Sequence, residues 1–588
     1  MVDEDDSGST RTDRGLSDLA AAEGIGMAAT WVGPRGLAAG GAITQVPVLF
    51  GHHQHVEHAG VLFGLPALLS QGLLEASDKV YGAFSQGYYS LRNIMLLLAF
   101  MALCRIKNPE QLKKYAPGEL GKILGLDRCP EVKCLRAKIE AIVSRHKASD
   151  YLQALSQQWI KEEGCVYFYA DGHVRVYTGS KAQLSKKYVA RQKLCLTGTQ
   201  EFWINDQSGS PLTMCIGELN ERLKDGIIRM VPSLLAATTP AVPPTAGQQD
   251  NPLLPRFTLV FDREVYQPAF FKTLWEEHRI AIITYRKFVK DLWPQSEFKY
   301  ADYQYEGRVV RLNICEKEIL LGNCLMREIR TLAADGDHQS AIITTNCIIP
   351  AVEVAHKMFS RWNQENFFRY MISDFDFDKM IQYGYEELDD NMMVINPDYS
   401  ILTYQIKKLR ERKRRIDAQF YQKVVQVAEQ PIDVVQPIWK DQASLVKKQQ
   451  ELAVRIQEVM QLRSQIQSRI TLKQMDPVRR YNKLPMESKY LMNIIKMIAY
   501  RAETALYNNL PGIYANAKKD GRMLIKEIFI TPADIIPDEN AHTLTVVLYP
   551  LSTPRANKAA KHLCQILNET ETLYPGTDLK IIYKCVSA

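Results

Sequence analysis

At residue 163 the apolar residues change period, and that switch sets the class of fold open to the chain. Upstream, Leu96, Leu97, Phe100, Met101 and Cys104 form one stripe at helical spacing, and Leu135, Ile139 and Ile142 form another. Downstream, Cys165-Val-Tyr-Phe-Tyr-Ala170 alternates, as do His173–Tyr177 and Thr199–Asn205, with Asp171-Gly172 reading as a turn between the first two. Phe257-Thr-Leu-Val-Phe261 has the unbroken apolar form of a buried strand. A helix carrying Phe270 and Leu274 follows, then Ile280-Ala-Ile-Ile283 as another strand. Strands interleaved with helices in this way predict an α/β fold.

The remainder is less regular. Residues 297–345 alternate repeatedly and read as a β-rich insertion, with a long helix expected over 350–372. Leu445, Leu452, Val459 and Ile466 stand seven apart, which suits either a long antiparallel helical arm or a dimeric coiled coil. Residues 485–588 read as a small α+β module: a helix over 490–507, strands at 524–530 and 543–549, a helix over 557–567 and a strand at 579–583. Residues 1–55, Gly- and Ala-rich and without apolar period, read as a disordered arm. At 588 residues the chain has room for about three to four domains.

Charge narrows the partners. The net value of +7 hides a segregation: residues 1–30 carry seven acids and two bases, whereas 401–480 carry seventeen bases and eight acids. Lys407, Lys408, Arg410, Arg412, Lys413, Arg414 and Arg415 crowd nine residues, a density suited to a polyanion. The longest apolar run, Ile94–Cys104, falls short of the ~18–20 residues that span a bilayer. The acidic start is unlike a signal peptide, and the eleven cysteines show no zinc or disulfide spacing. The expectation is a reduced, cytoplasmic protein with no membrane segment.

Two acids close apolar β segments, Asp171 and Asp262, and a third, Glu365, lies in Arg361-Trp-Asn-Gln-Glu365 on a helix. An acid at a strand end aims its carboxylate into the crevice where open sheets bind ligands. Two such acids side by side repel unless a cation neutralises them. Mg²⁺ takes oxygen ligands, one or two carboxylates per ion, so three acids can hold two ions ~3.5–4 Å apart for in-line phosphoryl displacement.

In these residues the chain resembles the DDE transposases of bacterial insertion sequences, in particular those whose RNase H-like core is interrupted by a β insert before the glutamate. Asp171-Gly-His-Val-Arg-Val-Tyr-Thr-Gly is similar to that family's first-aspartate strand, and Phe261-Asp-Arg-Glu-Val-Tyr to its second. Ile342-Ile-Thr-Thr-Asn346 followed by Arg361-x-x-x-Glu365 is similar to the approach to its glutamate. The 102 residues between Asp262 and Glu365 leave room for the insert. Two positions depart: Met358 and Ile372 stand where the related signature has Tyr and Lys.

The resemblance implies a helical DNA-binding domain (56–155), an RNase H-like mixed-sheet core (160–296 and 346–396) around the insertion (297–345), a basic helical arm (397–484) and the C-terminal module (485–588). It implies Asp171, Asp262 and Glu365 as catalytic residues holding two Mg²⁺, for which Mn²⁺ can substitute. The partners implied are double-stranded DNA, as terminal inverted repeats and target, and a second copy of the chain assembled on DNA. Arg361, with Lys181, Lys186 and Lys187 beside the first aspartate and the run from Lys407 to Arg415, is expected to contact phosphates. So are Lys133 and Arg136, on the second helix of a 118–145 segment that reads equally as a helix-turn-helix or a plain helical hairpin. Two other functions fit the same residues: a catalytically inactive DNA-binding descendant, and an RNase H-like nuclease without strand transfer.

Plainer roles compete for several residues. Glu264, Asp374, Asp376 and Asp378 are rival acids; Glu365 is preferred for its flanks. His173 reads as structural ahead of a phosphate contact, Trp293 and Trp362 as core aromatics ahead of platforms for an unpaired base, and the cluster His52, His53, His55 and His58 as lacking the partners for a metal.

Overall fold

The computed structural model describes residues 28–586 apart from short stretches, the longest being 180–183, 190–193, 239–252, 378–385 and 429–434. The chain divides into two compact units. One comprises residues up to 178, 186–383 and 485–588; the other comprises 179–185 and 384–484.

The first unit is organised by a ten-stranded sheet. Within it β1 (Tyr167–Val176) is flanked on one side by β2 (Leu194–Asn205), antiparallel to it, and then by β3 (Pro211–Glu218), antiparallel to β2. On the other side lie β4 (Phe257–Phe261) and β5 (Ile280–Tyr285), both parallel to β1. The order β3-β2-β1-β4-β5 continues through the insertion strands β9 (Gln339–Thr344), β8 (Cys324–Leu332), β7 (Arg308–Leu321) and β6 (Lys299–Tyr305), all antiparallel. The insertion expected over 297–345 therefore extends the central sheet. Alternation buries both faces: Phe168, Leu259, Phe261 and Ile282 enter the main core, while Tyr169, Val260 and Ile283 pack on the opposite side with Val354, Ala355 and Met358.

Asp171-Gly172 is not a turn. Both residues pair across to Trp203 and Phe202 within one continuous β1, because the twelve residues of β2 offer partners on either side of them. Gly172 leaves room for the Gln200 side chain, since a Cβ there would lie 2.9 Å from Gln200 Nε2. The helix expected over 350–372 is two, α1 (Ala351–Phe359) and α2 (Trp362–Phe375), meeting at Ser360-Arg361.

Residues 485–588 share a core with the rest of the first unit. Helix Met486–Asn508 buries Leu491, Ile494, Ile495 and Ile498 among the N-terminal helices. Residues 524–530 are helical, within Ala517–Ile530: Leu524, Ile525, Ile528 and Phe529 are buried at helical spacing, and the run of β-branched and aromatic residues disguised that period. Tyr574 and Tyr583 donate from their hydroxyls to Ile123 O and Leu62 O, both at 3.0 Å. Within the stretch expected to be an arm, Val32–Ala39 is helical and His53–Val56 is a strand beside Ala533–Asp538.

The second unit is an antiparallel helical hairpin, Pro397–Ala428 against Val435–Ser464. Gln449 donates to Asp417 at 2.8 Å, and the Arg463 guanidinium lies 5.5 Å over the Tyr399 ring, so the two helices run in opposite senses. Leu445 and Val459 are buried, placing the heptad seam inside the chain's own hairpin.

Candidate active site

The parallel register of β1 and β4 sets Ala170 beside Phe261, so the next residues, Asp171 and Asp262, come from neighbouring positions. Each lies two residues beyond a side chain on the α1 face, Tyr169 and Val260, which aims both carboxylates toward that face. Both are held locally: Asp171 Oδ1 accepts the Gly172 N–H at 2.8 Å, and Asp262 Oδ1 accepts the Arg263 N–H at 2.7 Å.

Arg361, at the joint between α1 and α2, faces the pair. Its Nη2 is 3.7 Å from Asp171 Oδ2 and its Nη1 3.8 Å from Asp262 Oδ1. Glu365 follows one helical turn later and is exposed into a cavity of about 810 Å³ that it lines with Asp262, Arg361, Tyr285 and Trp362. The cavity wall also carries Arg263, Arg286, Lys287 and Phe288. Burial pushes the Asp171 carboxyl up to about 6; Arg361 and the Gly172 N–H pull it down, and the charges of Asp262 and Glu264 add to the rise. Burial also raises the Tyr285 phenol, which feels Arg361, Asp262 and Glu365 together.

Gln364 fixes this geometry. Buried at 1% exposure, its Nε2 donates to Tyr169 O at 2.9 Å and Asn205 Oδ1 at 2.8 Å, tying α2 to β1 and β2 between Arg361 and Glu365. A second network lies under the sheet. Glu201, wholly buried, forms an ion pair with Arg175 at 2.6 Å and accepts from Asn493 at 3.2 Å and Trp203 Nε1 at 3.1 Å, with Lys489 Nζ 3.6 Å away. Neither Gln364 nor Glu201 is conspicuous in the sequence.

Sequence comparison identifies the lineage: a family model described as Transposase protein, Transposase_29, matches residues 26–587. The chain belongs to this transposase family. Membership makes it an enzyme acting on DNA. Searches of curated proteins and of solved structures found no match.

In this transposase Asp171 and Asp262 both face Arg361, and Asp262 and Glu365 line one cavity, although among the described residues no group of three His, Cys, Asp or Glu side chains stands at metal-holding spacing. The cation between the aspartates is Arg361. The rivals have other work: Asp374 pairs with Arg105 at 3.6 Å and Lys526 at 3.4 Å, Glu264 is exposed on a 3₁₀ turn, and Asp376 ends α2 in left-handed backbone with φ 52°. Asp378 lies outside the described residues. His173 stacks on Phe368 at 5.2 Å, a structural contact. Trp293 is buried with Arg330 4.2 Å over its ring, as expected of a core aromatic, whereas Trp362 is 64% exposed and stands at the cavity. Met358 is buried in the wall of the same cavity.

The expected phosphate contacts are dispersed. Lys133 and Arg136 lie exposed on helix Val132–Val143, Arg136 paired with Glu110; the segment Leu124–Glu131 before it is longer than the tight turn of a helix-turn-helix. Lys181 is outside the described residues. Lys186 and Lys187 fall on the edge strand Lys186–Val189, of which only the backbone is described. Lys407, Lys408, Arg410, Arg412, Arg414 and Arg415 are exposed on the first helix of the hairpin, and Lys413 pairs with Asp417 at 3.1 Å. His55 and His58 turn to different rings, Tyr549 and Tyr115. Among the described residues no single helix is long and apolar enough to cross a membrane.

Proposed function

We propose that the chain is a DDE-type DNA transposase with an RNase H-like core, cutting and joining strands at transposon ends by two-metal phosphoryl transfer. The observation that carries this reading is the meeting of Asp171 and Asp262, on adjacent parallel strands, with Arg361, at the start of the α2 helix that brings Glu365 to the cavity Asp262 and Arg361 line. The sheet order, an antiparallel β3-β2-β1 meander followed by two strands parallel to β1, supports the core assignment.

The donor set suits magnesium: every candidate ligand is a carboxylate oxygen, and one cationic group already faces two of them. Asp171, Asp262 and Glu365 would hold two ions, which when bound activate the attacking hydroxyl and stabilise the leaving oxygen. The protein's own part is positional. The Gly172 and Arg263 N–H groups orient the aspartates, Gln364 anchors the helix of the glutamate, and Arg361 meets the charge of a bound phosphate. The basic helix from Lys407 to Arg415 supplies non-specific backbone affinity. Double-stranded DNA carrying the element's terminal inverted repeats is the substrate, target DNA the acceptor, and a dimer assembled on DNA the working form.

Asp171→Asn, Asp262→Asn and Glu365→Gln are expected to abolish metal-dependent nicking and joining of such DNA while leaving its binding within a few-fold of wild type. Loss of binding in parallel with cleavage would count against a catalytic role. Met358 and Ile372, in place of Tyr and Lys, favour a second reading, a catalytically inactive DNA-binding descendant. Binding without metal-dependent nicking by the unaltered chain would establish that one; nicking without joining would indicate a nuclease.

A further inference from the structure

Arg361 stands where two carboxylates most need a cation. Its ion pairs to Asp171 and Asp262, at 3.7 and 3.8 Å, exceed the ~2.7–2.9 Å of charge-assisted hydrogen bonds, so its charge is shared between the acids without being locked to either. Its Nε is buried with no hydrogen-bond partner. The side chain stems from the joint between two helices and lines the open cavity. A guanidinium with two loose pairs and one unused N–H gains by meeting a bidentate acceptor, which a DNA phosphate provides. The aspartates it leaves behind are adjacent like charges, the arrangement that recruits a divalent ion.

We propose that Arg361 is a resident counter-ion that competes with divalent cations for Asp171 and Asp262, and that DNA lifts the competition by drawing the guanidinium onto a phosphate. The inference rests on the metal-dependent reading above. DNA-free protein then holds metal weakly, and metal and DNA bind with positive coupling. The same side chain keeps metal occupancy low until substrate arrives.

The test is Mn²⁺ binding to the full chain, followed by electron paramagnetic resonance, for wild type, R361Q, R361K and D171N, with and without a DNA duplex. Without DNA, R361Q is expected to bind Mn²⁺ at least ~10-fold more tightly than wild type, since removing one competing charge ~4 Å away is worth between about fivefold in bulk water and about a thousandfold at near-surface dielectric. R361K, a flexible point charge, should fall between them, and supports the inference even where R361Q fails to fold. The gain in Mn²⁺ affinity on adding DNA should be several-fold larger in wild type than in either variant. If R361Q and R361K bind no more tightly than wild type while D171N still abolishes binding, the counter-ion role is refuted and the metal site stands. If D171N binds as well as wild type, the metal reading falls, and the inference with it.

Discussion

Glu201→Gln removes one charge from a site where water cannot replace it. The side chains of Glu201, Arg175 and Lys489 are 0%, 1% and 6% exposed, and Glu201 is the acid that both cations face, at 2.6 and 3.6 Å. Burial alone would raise the Glu201 carboxyl, yet Arg175 and then Lys489 hold it below its usual value. Burial, with Arg175 adding to it, drives Lys489 well below the ordinary lysine range. Breaking a buried pair by removing one partner costs about 3–5 kcal/mol. At roughly 2 °C per kcal/mol for a large domain, Tm should fall by ~5–10 °C. The sign of the pH response follows from Lys489. In the variant it sheds its proton on folding while remaining protonated when unfolded, so the unfolded state binds more protons and stability rises with pH up to the lysine range. Wild type should show a weaker rise, because Glu201 offsets the cost. The network also ties helix Met486–Asn508 to β1 and β2, so the variant should become more susceptible to proteolysis near residue 485. Thermal melts at pH 6 and pH 9, with limited proteolysis, measure all three. A Tm within 1 °C of wild type at both pH values would refute the reasoning.

Asp171→Asn should stabilise the fold while removing activity. The folded carboxyl titrates near 6, above its ordinary 3.8, so its contribution to stability is present below about pH 4 and lost as pH rises through 6. The asparagine should therefore gain up to ~1–3 kcal/mol above pH 6 and nothing below pH 4, read from melts across that range; no crossover would sink the assignment. Gln364→Leu leaves Tyr169 O and Asn205 Oδ1 without the α2 donor and should cost about 2–4 kcal/mol. With Arg361 and Glu365 displaced, cleavage should drop ~100-fold in protein that still folds; folded protein with full activity would refute the positioning role. Replacing Lys407, Lys408, Arg410, Arg412, Arg414 and Arg415 by Gln should flatten the salt dependence of DNA binding by about 0.9 per lost phosphate contact. An unchanged slope would remove the basic helix from the interface.

The strands that build the site were legible because their composition is extreme. Phe257–Phe261 is bounded by the residues expected, and the alternation at 297–345 resolves into four strands. Asp171-Gly172 misled because turn chemistry is local, whereas its pairing to β2 is set by residues thirty positions away. The break at Ser360-Arg361 has no Pro or Gly to announce it, yet it places Arg361 between the aspartates. Asp171, Asp262 and Glu365 could be singled out by type and flank. Gln364, Glu201 and Lys489 could not, since their roles exist only through partners distant in the chain.

The central claim, that these acids act by holding divalent cations, is tested most directly by changing the ligand and the metal together. Asp171→Cys and Asp262→Cys replace a hard oxygen by a sulfur that Mg²⁺ shuns and Mn²⁺ tolerates. The account predicts that both variants are inactive in Mg²⁺ and recover strand cleavage in Mn²⁺, while Asp→Ala at the same positions recovers in neither. Cleavage by the cysteine variants that is equal in the two metals, or absent from both while wild type is active, would contradict it.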